Sequence, residues 1–241
     1  MKIISLNIWG GRCGNEKLQD FFKKYKDVDI FALQEVYNGA TKPVVEDKGD
    51  QLSIYTDIQK TLSEHVGYFK PVKQGYGIAM FVKKSIPVLN EGDILIYEVL
   101  NYVTGANHSR NLQYVEVEVN NTKYTVANVH ALWNGQGKGD SENRLIQSDI
   151  ILNFLKGVKT PYILTGDLNL RPDTESLKKF ENFGLRNLIK EYGITSTRTT
   201  LYTKPEKFGD YTFVSDGIKV KNFQILPEEV SDHVAMFMEL E

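Results

Sequence analysis

Short apolar runs rich in β-branched residues recur along the whole chain, and polar segments separate them. Their length and composition predict β-strands rather than helices. Residues 112–119 also alternate between valine and glutamate at several positions, which indicates a strand with one face in water. The predicted strands are residues 2–8, 29–34, 77–84, 112–119, 124–130, 161–167, 210–215 and 233–240.

Apolar residues spaced i, i+3, i+4 and i+7 predict helices between these runs. The helical segments are residues 18–25, 142–158 and 185–192, with weaker patterns over 52–62 and 174–183. Strands outnumber helices, and short polar turns join neighbouring runs. This favours a mixed or antiparallel sheet packed by helices over a doubly wound parallel sheet. Because no linker or fixed repeat divides the sequence, one domain over residues 1–241 is predicted.

Charge and cysteine content narrow the classes of function. The formal net charge is -2, which argues against a high-affinity, non-specific nucleic-acid binder but not against an enzyme that grips a few phosphates. Cys13 is the only cysteine, so no intramolecular disulfide forms. No apolar run reaches the length of a membrane span, and the N-terminus lacks the pattern of a secretory signal. We therefore expect a cytoplasmic, monomeric protein, and nothing in the sequence implies a protein partner.

Polar side chains stand at the ends of several predicted strands. Strand ends that point the same way meet at one edge of a sheet, and a rigid rim of acids and amides is a common way to build a site. The strand-end residues are Asn7, Glu35, His130, Asp167, Asn169, Asp232 and His233.

Such a cluster suits the hydrolysis of a phosphodiester. A hard cation such as Mg²⁺ prefers carboxylate oxygens, retains waters and shares phosphate oxygens, and Glu35 fits that role. Asp167 is a suitable base for the attacking water, with Asn169 orienting the carboxylate or the water.

An imidazole at His233 would stabilise the negative charge of the transition state. A carboxylate hydrogen-bonded to that ring would fix its tautomer, and both Asp210 and Asp232 are candidates.

The same residues carry a family resemblance. The motifs LNIWG, LQEV, NVHAL, GDLNLRP, DYTFVS and SDHVA follow one another between residues 5 and 235. In this order they resemble the endonuclease/exonuclease/phosphatase superfamily. The resemblance implies an α/β (α+β) fold, a four-layer sandwich of two packed, mostly antiparallel β-sheets flanked by helices. It also implies phosphodiester hydrolysis with Mg²⁺, and Mn²⁺ as a possible substitute.

The resemblance further implies a role for each motif residue. Mg²⁺ is expected mainly at Glu35, with Asn7 and Asp232 nearby. One departure concerns this metal shell, because Trp9 stands where some members carry an acid. Asp167 is expected to activate or position the water, with Asn169 beside it.

The remaining motif residues are expected to act on the substrate. Asp210 would orient His233, and His130 would contact the phosphate. Arg110 matches an arginine that many members place near the phosphate at the start of this strand. His130 sets the chain apart from the abasic-site nucleases, which show a tyrosine-containing motif there.

For other residues the sequence allows either a role in substrate binding or a purely structural role. Trp133 and Lys138 are candidate substrate-binding residues, the latter in a Gly-rich loop over residues 135–139 that we expect on the substrate side. His108 is interpreted as a polar loop residue, His65 as a surface helix residue, and Asp173 as a helix cap.

Three functions remain open. The leading hypothesis is a Mg²⁺-dependent nuclease or DNA-end-processing phosphodiesterase, with nucleic acid or another phosphodiester as its partner. The alternative is a phosphoesterase for a phospholipid head group, an inositol phosphate or another small phosphoester, which the acidic balance of charge favours. The third is an inactive binding module on the same fold.

Overall fold

The computed structural model describes residues 1–44, 49–100, 105 and 107–241, and its named strands form two six-stranded sheets. The first sheet contains, in spatial order, β11 (Val220–Ile225), β12 (Met236–Leu240), β1 (Lys2–Asn7), β2 (Ile30–Tyr37), β4 (Tyr76–Lys83) and β3 (His65–Lys73). The second contains β5 (Val88–Tyr97), β6 (Arg110–Val119), β7 (Thr122–His130), β8 (Tyr162–Asp167), β10 (Asp210–Val214) and β9 (Arg186–Asn187).

The helices of the described residues are α1 (Asn15–Lys24), α2 (Ile54–Thr61), α3 (Glu142–Gly157), α4 (Glu175–Asn182) and the single turn α5 (Leu188–Glu191). Each sheet has a parallel pair at its centre, β1 with β2 and β7 with β8. The other strand pairs are antiparallel. The prediction of a mixed, mostly antiparallel sandwich is therefore confirmed.

Alternate residues of β1 show how the layers are arranged. Ile4 and Leu6 belong to one buried cluster, together with Leu18 and Phe22 of α1. Ile3 belongs to the other cluster, which includes residues of the second sheet and of α3 and α4. Since side chains of a strand point alternately to its two faces, each face of the first sheet is covered. The layers are helices, sheet, sheet and helices.

A pair of buried amides joins the two sheets. The Gln34 Nε2 atom donates to the Asn128 Oδ1 atom at 2.6 Å. Asn128 Nδ2 in turn donates to the main-chain carbonyl of Leu33 at 3.0 Å and to that of Ala79 at 3.3 Å. Buried amides need partners, and these partners lie on the opposite sheet. The hydrogen bonds therefore fix how the sheets align.

The sequence predictions missed the strands at or near the sheet edges. Each predicted strand overlaps an observed one, but β3, β5, β9 and β11 were not predicted. Of these, β5 carries charged and exposed residues along much of its length, because an edge strand needs fewer apolar side chains. The predicted helix over 185–192 is wrong in its first half, since residues 186–187 pair with β10.

Two interpretations of single residues are also wrong. His65 is not on a surface helix. It begins β3, is 1% exposed, and its Nε2 atom lies 2.7 Å from the Val28 carbonyl oxygen. Asp173 does not cap α4, because the Thr174 side chain accepts the hydrogen bond from the Leu177 amide. Among the described residues, no helix is long and apolar enough to cross a membrane.

Candidate active site

The direction of the central strands gathers the predicted residues at one edge. β1 and β2 run parallel and end at Asn7 and just past Glu35, and the parallel β7 and β8 end at His130 and Asp167. The antiparallel neighbour β10 begins here, with Asp210 opposite Asp167. β12 runs antiparallel to β1, so the His233 segment before it arrives at the same edge. Both sheets therefore contribute to one site.

The backbone adopts unusual conformations at this edge. Glu35, Asn169 and Trp9 have φ angles of +57°, +52° and +51°. Left-handed φ costs a non-glycine residue of order 1 kcal/mol or more, so it persists where surrounding contacts enforce it. Glu35 lies at a shift of the β2–β4 register between Leu33 and Val36, which turns its side chain away from the strand's alternation.

The Asp167 carboxylate lies at the centre of the site. Asn7 Nδ2 is 3.2 Å from the Asp167 Oδ2 atom and 3.2 Å from the Glu35 Oε1 atom. The backbone amide of Asn169 donates to Asp167 Oδ1 at 2.9 Å. Asn7 itself is held by the Trp9 amide, which donates to Asn7 Oδ1 at 2.9 Å. The two carboxylates, the Asn7 side chain and the two backbone amides thus form one connected network.

Two imidazoles flank this carboxylate. The Nε2 atoms of His130 and His233 lie 3.9 Å and 3.8 Å from Asp167 Oδ2. His233 Nδ1 donates to Asp210 at 2.7 Å, which leaves Nε2 facing the cavity. Arg110 Nη1 lies about equally far from both ring nitrogens of His130, at 3.0 Å and 2.9 Å, so the guanidinium lies against that ring.

Burial shifts the acids and the imidazoles in opposite directions. It raises the pKa of Glu35 to about 7, and the neighbouring charge of Asp232 adds to that rise. It raises the pKa of Asp210 to about 6. Burial lowers the pKa of His233 to about 3, and that of His130 falls well below its ordinary value. Burial disfavours the charged form in each case.

The donor set fits a hard divalent cation. Glu35 keeps 22% of its side chain exposed, and both burial and Asp232 oppose its ionisation. A dication between these carboxylates would offset both effects, and oxygen donors are what Mg²⁺ prefers. Among the described residues, Asp167, Asp210 and His233 also bring ligand atoms within 4.8 Å of one another. The carboxylate of Asp210 is already engaged by the imidazole, so the Glu35 side offers the more open place.

These groups line a cavity of about 390 Å³. Tryptophan and tyrosine side chains form part of its wall, and lysines and arginines provide positive charge. The lining residues are Trp9, Arg12, Glu35, Tyr37, Val44, Tyr76, His108, Arg110, His130, Trp133, Lys138, Asp167, Asn169, Arg198, Leu201, Tyr202, Thr203, Lys204, Asp232 and His233. Asn7 and Asp210 lie just behind this wall, bonded to Asp167 and His233.

The Gly-rich loop reaches the cavity through a buried lysine. Lys138 is 2% exposed, and its Nζ atom donates to the Phe208 carbonyl at 2.8 Å. Arg144 at the start of α3 is buried and donates to the carbonyls of Gly137 and Gly139. These hydrogen bonds hold residues 137–139 of the loop against the protein, whereas residues 135 and 136 are exposed.

His108 also departs from its interpretation as a polar loop residue. It is 2% exposed, lines the cavity and meets Tyr76 edge to face at 5.2 Å between ring centroids. Burial and the adjacent Arg110 cation lower its pKa, so it presents a neutral ring.

Two cations that line the cavity, Arg198 and Lys204, were not identified from the sequence. Arg198 touches His233 and lies 3.7 Å from Asp232, and Lys204 lies 4.7 Å from the Trp133 ring centroid. Both belong to the segment between α5 and β10, which has no apolar periodicity. An isolated β-bridge pairs Arg198 with His233. Because the two residues are far apart in the sequence, no local sequence pattern predicts this contact.

Comparisons with known proteins place these features among related folds. A model of the Endonuclease/Exonuclease/phosphatase family matches residues 4–233. No curated protein matches the chain.

Several solved structures share the fold over nearly their full length. The mannosyl-6-phosphatase of Bacteroides thetaiotaomicron VPI-5482 is 18% identical, with a TM-score of 0.74 over 100% of this chain and 99% of the other. D. rerio TDP2 in complex with a single-strand DNA product is 18% identical, with a TM-score of 0.74 over 100% and 98%. The human Nocturnin catalytic domain with bound sulfate is 19% identical, with a TM-score of 0.70 over 100% and 93%. At such identities the likeness concerns the fold.

Proposed function

This chain belongs to the endonuclease/exonuclease/phosphatase family, and from that premise we propose that it is a divalent-metal-dependent phosphodiester hydrolase, acting as a nuclease or DNA-end-processing phosphodiesterase. The observation that carries the proposal is the surroundings of Asp167. Its Oδ2 atom has an imidazole Nε2 within 4 Å on each side and the Asn7 amide at 3.2 Å, inside a cavity large enough for a phosphoryl group.

Glu35, with Asn7 and Asp232, would hold the metal. When bound, Mg²⁺ or Mn²⁺ supplies positive charge to the phosphate oxygens. The Asn7 amide donates to Glu35 and so keeps that carboxylate turned towards the cavity.

Asp167 would take the proton of the attacking water. Its Oδ1 atom accepts from the Asn169 amide, and its Oδ2 atom, which also accepts from Asn7, is the oxygen that would accept the proton. The Nε2 atoms of His130 and His233 face the space beside Oδ2, where phosphoryl oxygens would lie. Asp210 fixes the tautomer of His233 by accepting from Nδ1.

The first test is removal of the metal and of the base. We expect EDTA to abolish hydrolysis of bis(p-nitrophenyl) phosphate and of labelled DNA, and Mg²⁺ or Mn²⁺ to restore it. Asp167→Asn should lower kcat by about 10³-fold, within the range seen when a general base is lost. Asp173→Asn is the matched control, because Asp173 is exposed and paired with Arg171. Hydrolysis that survives EDTA and Asp167→Asn would exclude the proposal.

The second candidate is a phosphoesterase for a small molecule, such as a sugar phosphate, an inositol phosphate or a phospholipid head group. It is favoured by the compact cavity and by the net charge of -2. A panel of 5′-tyrosyl DNA, abasic duplex, plain single- and double-stranded DNA, mannose 6-phosphate and sphingomyelin separates the two. The highest kcat/KM identifies the class.

An inactive binding module on this fold is the third alternative. The acids, amides and imidazoles described above argue against it, because buried charged groups are costly to retain without use. A Mn²⁺ titration by calorimetry tests it, since a module of this kind would bind no metal at this edge.

A further inference from the structure

Arg198 is a buried cation on the His233 side of the cavity. It lies in the segment between α5 and β10 and pairs with His233 in an isolated bridge. Its side chain is only 5% exposed, yet it lines the cavity. The guanidinium carbon lies 4.3 Å from the Tyr202 ring centroid, which supports one face of the planar group.

The donors of Arg198 are mostly unused. Nη1 contacts His233 Nε2, and the Asp232 carboxylate is 3.7 Å away, beyond hydrogen-bond distance. Within the part of the chain that the structure describes, the buried Nε atom has no hydrogen-bond partner. A guanidinium carries five N–H donors, and a buried donor without a hydrogen bond costs free energy. An acceptor that enters the cavity would satisfy them.

Two other arginines among the described residues engage both Nη groups, or one Nη and Nε, with acceptors inside the protein. Arg12 donates to both carboxylate oxygens of Asp50, at 2.9 Å and 3.2 Å. Arg144 shares the unpartnered Nε atom, but its Nη1 and Nη2 atoms donate to two main-chain carbonyls. Among the residues that the structure describes, Arg198 has neither a bidentate acid nor a carbonyl as a side-chain partner, and its guanidinium lines the cavity.

We propose that Arg198 binds a non-bridging oxygen of the substrate's phosphoryl group, together with His233. The inference rests on the proposed function and adds a phosphate-binding residue to the site. Arginine matches phosphate because its parallel N–H groups reach two oxygens at once. A phosphoryl oxygen that accepts from Arg198 would replace the contact with His233 Nε2. The negative charge of the phosphoryl group would also favour the protonated imidazole, which donates from Nε2 as well as from Nδ1.

A purely structural role makes a different prediction. In that case Arg198 would only hold His233 and Asp232 in place, and its loss would disturb metal binding as much as phosphate binding. Calorimetric titration therefore compares two probes, Mn²⁺ alone and inorganic phosphate in the presence of Mn²⁺. Arg198→Ala should weaken phosphate binding by about 10- to 100-fold, the loss of a charge-assisted hydrogen bond, and leave Mn²⁺ binding unchanged.

Two further variants sharpen this test. Arg198→Lys keeps the charge but loses the planar fork, so we expect intermediate phosphate affinity, and it serves as the folded substitute if the alanine variant has no cooperative thermal transition. Arg171→Ala is the matched control, because Arg171 is exposed and paired with Asp173. Millimolar guanidinium ion should restore part of the phosphate binding to Arg198→Ala and none to Arg171→Ala. Unchanged phosphate affinity in both Arg198 variants, or a loss of Mn²⁺ affinity as large as the loss of phosphate affinity, would overturn the inference.

The binding readout separates this inference from the proposed function. If the wild-type protein hydrolyses none of the esters in the panel, the hydrolase proposal fails. The phosphate titration still decides the role of Arg198, because it requires no turnover. If the protein is active, kcat/KM of Arg198→Ala should fall along with phosphate affinity.

Discussion

Gly209 lies against three charged side chains of the cavity, and its missing Cβ leaves room for them. A Cβ built there would lie 2.5 Å from Lys138 Nζ, 2.6 Å from Arg198 Nη2 and 3.2 Å from Asp167 Oδ1. The Gly209 carbonyl also accepts the amides of residues 168 and 169. This one glycine therefore sets how closely the cations approach the central carboxylate.

Gly209→Ala should act on activity more than on stability. The two nearest atoms are the ends of the long Lys138 and Arg198 side chains, which must shift by nearly 1 Å, so we expect about 1–2 kcal/mol of destabilisation. Displacing groups around a reacting centre can cost about 10²-fold in rate, and we expect a fall in kcat/KM of that size. Steady-state kinetics and thermal melts measure both.

The control for this substitution is Gly157→Ala, at the last residue of α3. A Cβ at Gly157 meets nothing within 4 Å, so activity should be unchanged and stability equal or slightly higher. Equal kcat/KM for Gly209→Ala and wild type would contradict the role given to Gly209.

His65 should give the protein an acid-sensitive stability. Burial lowers its pKa, so the ring is neutral in the folded state while the unfolded chain titrates near 6.5. Protons then bind preferentially to the unfolded chain. The contribution of His65 is complete above about pH 7, and it is lost as pH falls below 6.5 towards the folded pKa, by at most about 1.4 kcal/mol per pH unit.

His65→Gln tests this sign. Denaturant unfolding at several pH values between 5 and 8 should show a shallower loss of stability on the acid side for the variant than for wild type. The other buried histidines add the same trend to both proteins, so only the difference between them reports on His65. Parallel curves would contradict the prediction.

The sequence predicts the positions of some site residues and not of others. Glu35 and Asp167 stand next to apolar runs, so their position at a strand end can be predicted. Arg198 lies in a polar segment and meets His233 only through the fold. The burial of His65 and His108 likewise depends on neighbours distant in sequence, which no local pattern records.

At the scale of elements, the apolar pattern of the sequence predicted the central strands of each sheet but not the edge strands. β1, β7 and β8 are buried on both faces over most of their length and so read as continuous apolar runs. β3 and β5 lie at the sheet edges, where half-exposed residues dilute the pattern. Because the site is built on the central strands, most of its acids could be predicted while the edges of the fold could not.

The amide pair between the sheets should matter for stability. Asn128→Ala removes one partner of Gln34 and two donors to main-chain carbonyls. Leaving buried polar groups unpaired costs about 1–3 kcal/mol, and we expect about 3 kcal/mol in urea unfolding. Asn153→Ala on the exposed face of α3 should change stability by about 0.5 kcal/mol or less.

A double-mutant cycle with Gln34→Ala identifies the pair itself. If the two amides act together, the double variant should lose about 1 kcal/mol less than the sum of the two single losses. Additive losses would mean that Asn128 acts only through the main-chain carbonyls.

At the scale of the whole molecule, the site exists only where the two sheets meet. Asn7, Glu35 and His233 belong to or adjoin strands of the first sheet, whereas His130 and Asp167 end strands of the second. Each sheet alone would carry half of the polar groups. The family resemblance could supply this arrangement, but neither composition nor periodicity contains the packing of one sheet on the other.

The overall charge predicts how nucleic acid would bind. With a net charge of -2 and a group of lysines and arginines lining the cavity, the protein should engage one or two phosphates rather than a long stretch of backbone. The slope of log K against log salt is about -0.7 for each phosphate contacted on a single strand. We therefore expect a slope no steeper than about -1.5 for a labelled single-stranded oligonucleotide, measured by fluorescence anisotropy in EDTA to prevent hydrolysis. A slope of about -4 or steeper would reveal a basic surface outside the cavity, and the protein would then grip nucleic acid along its backbone rather than at one end.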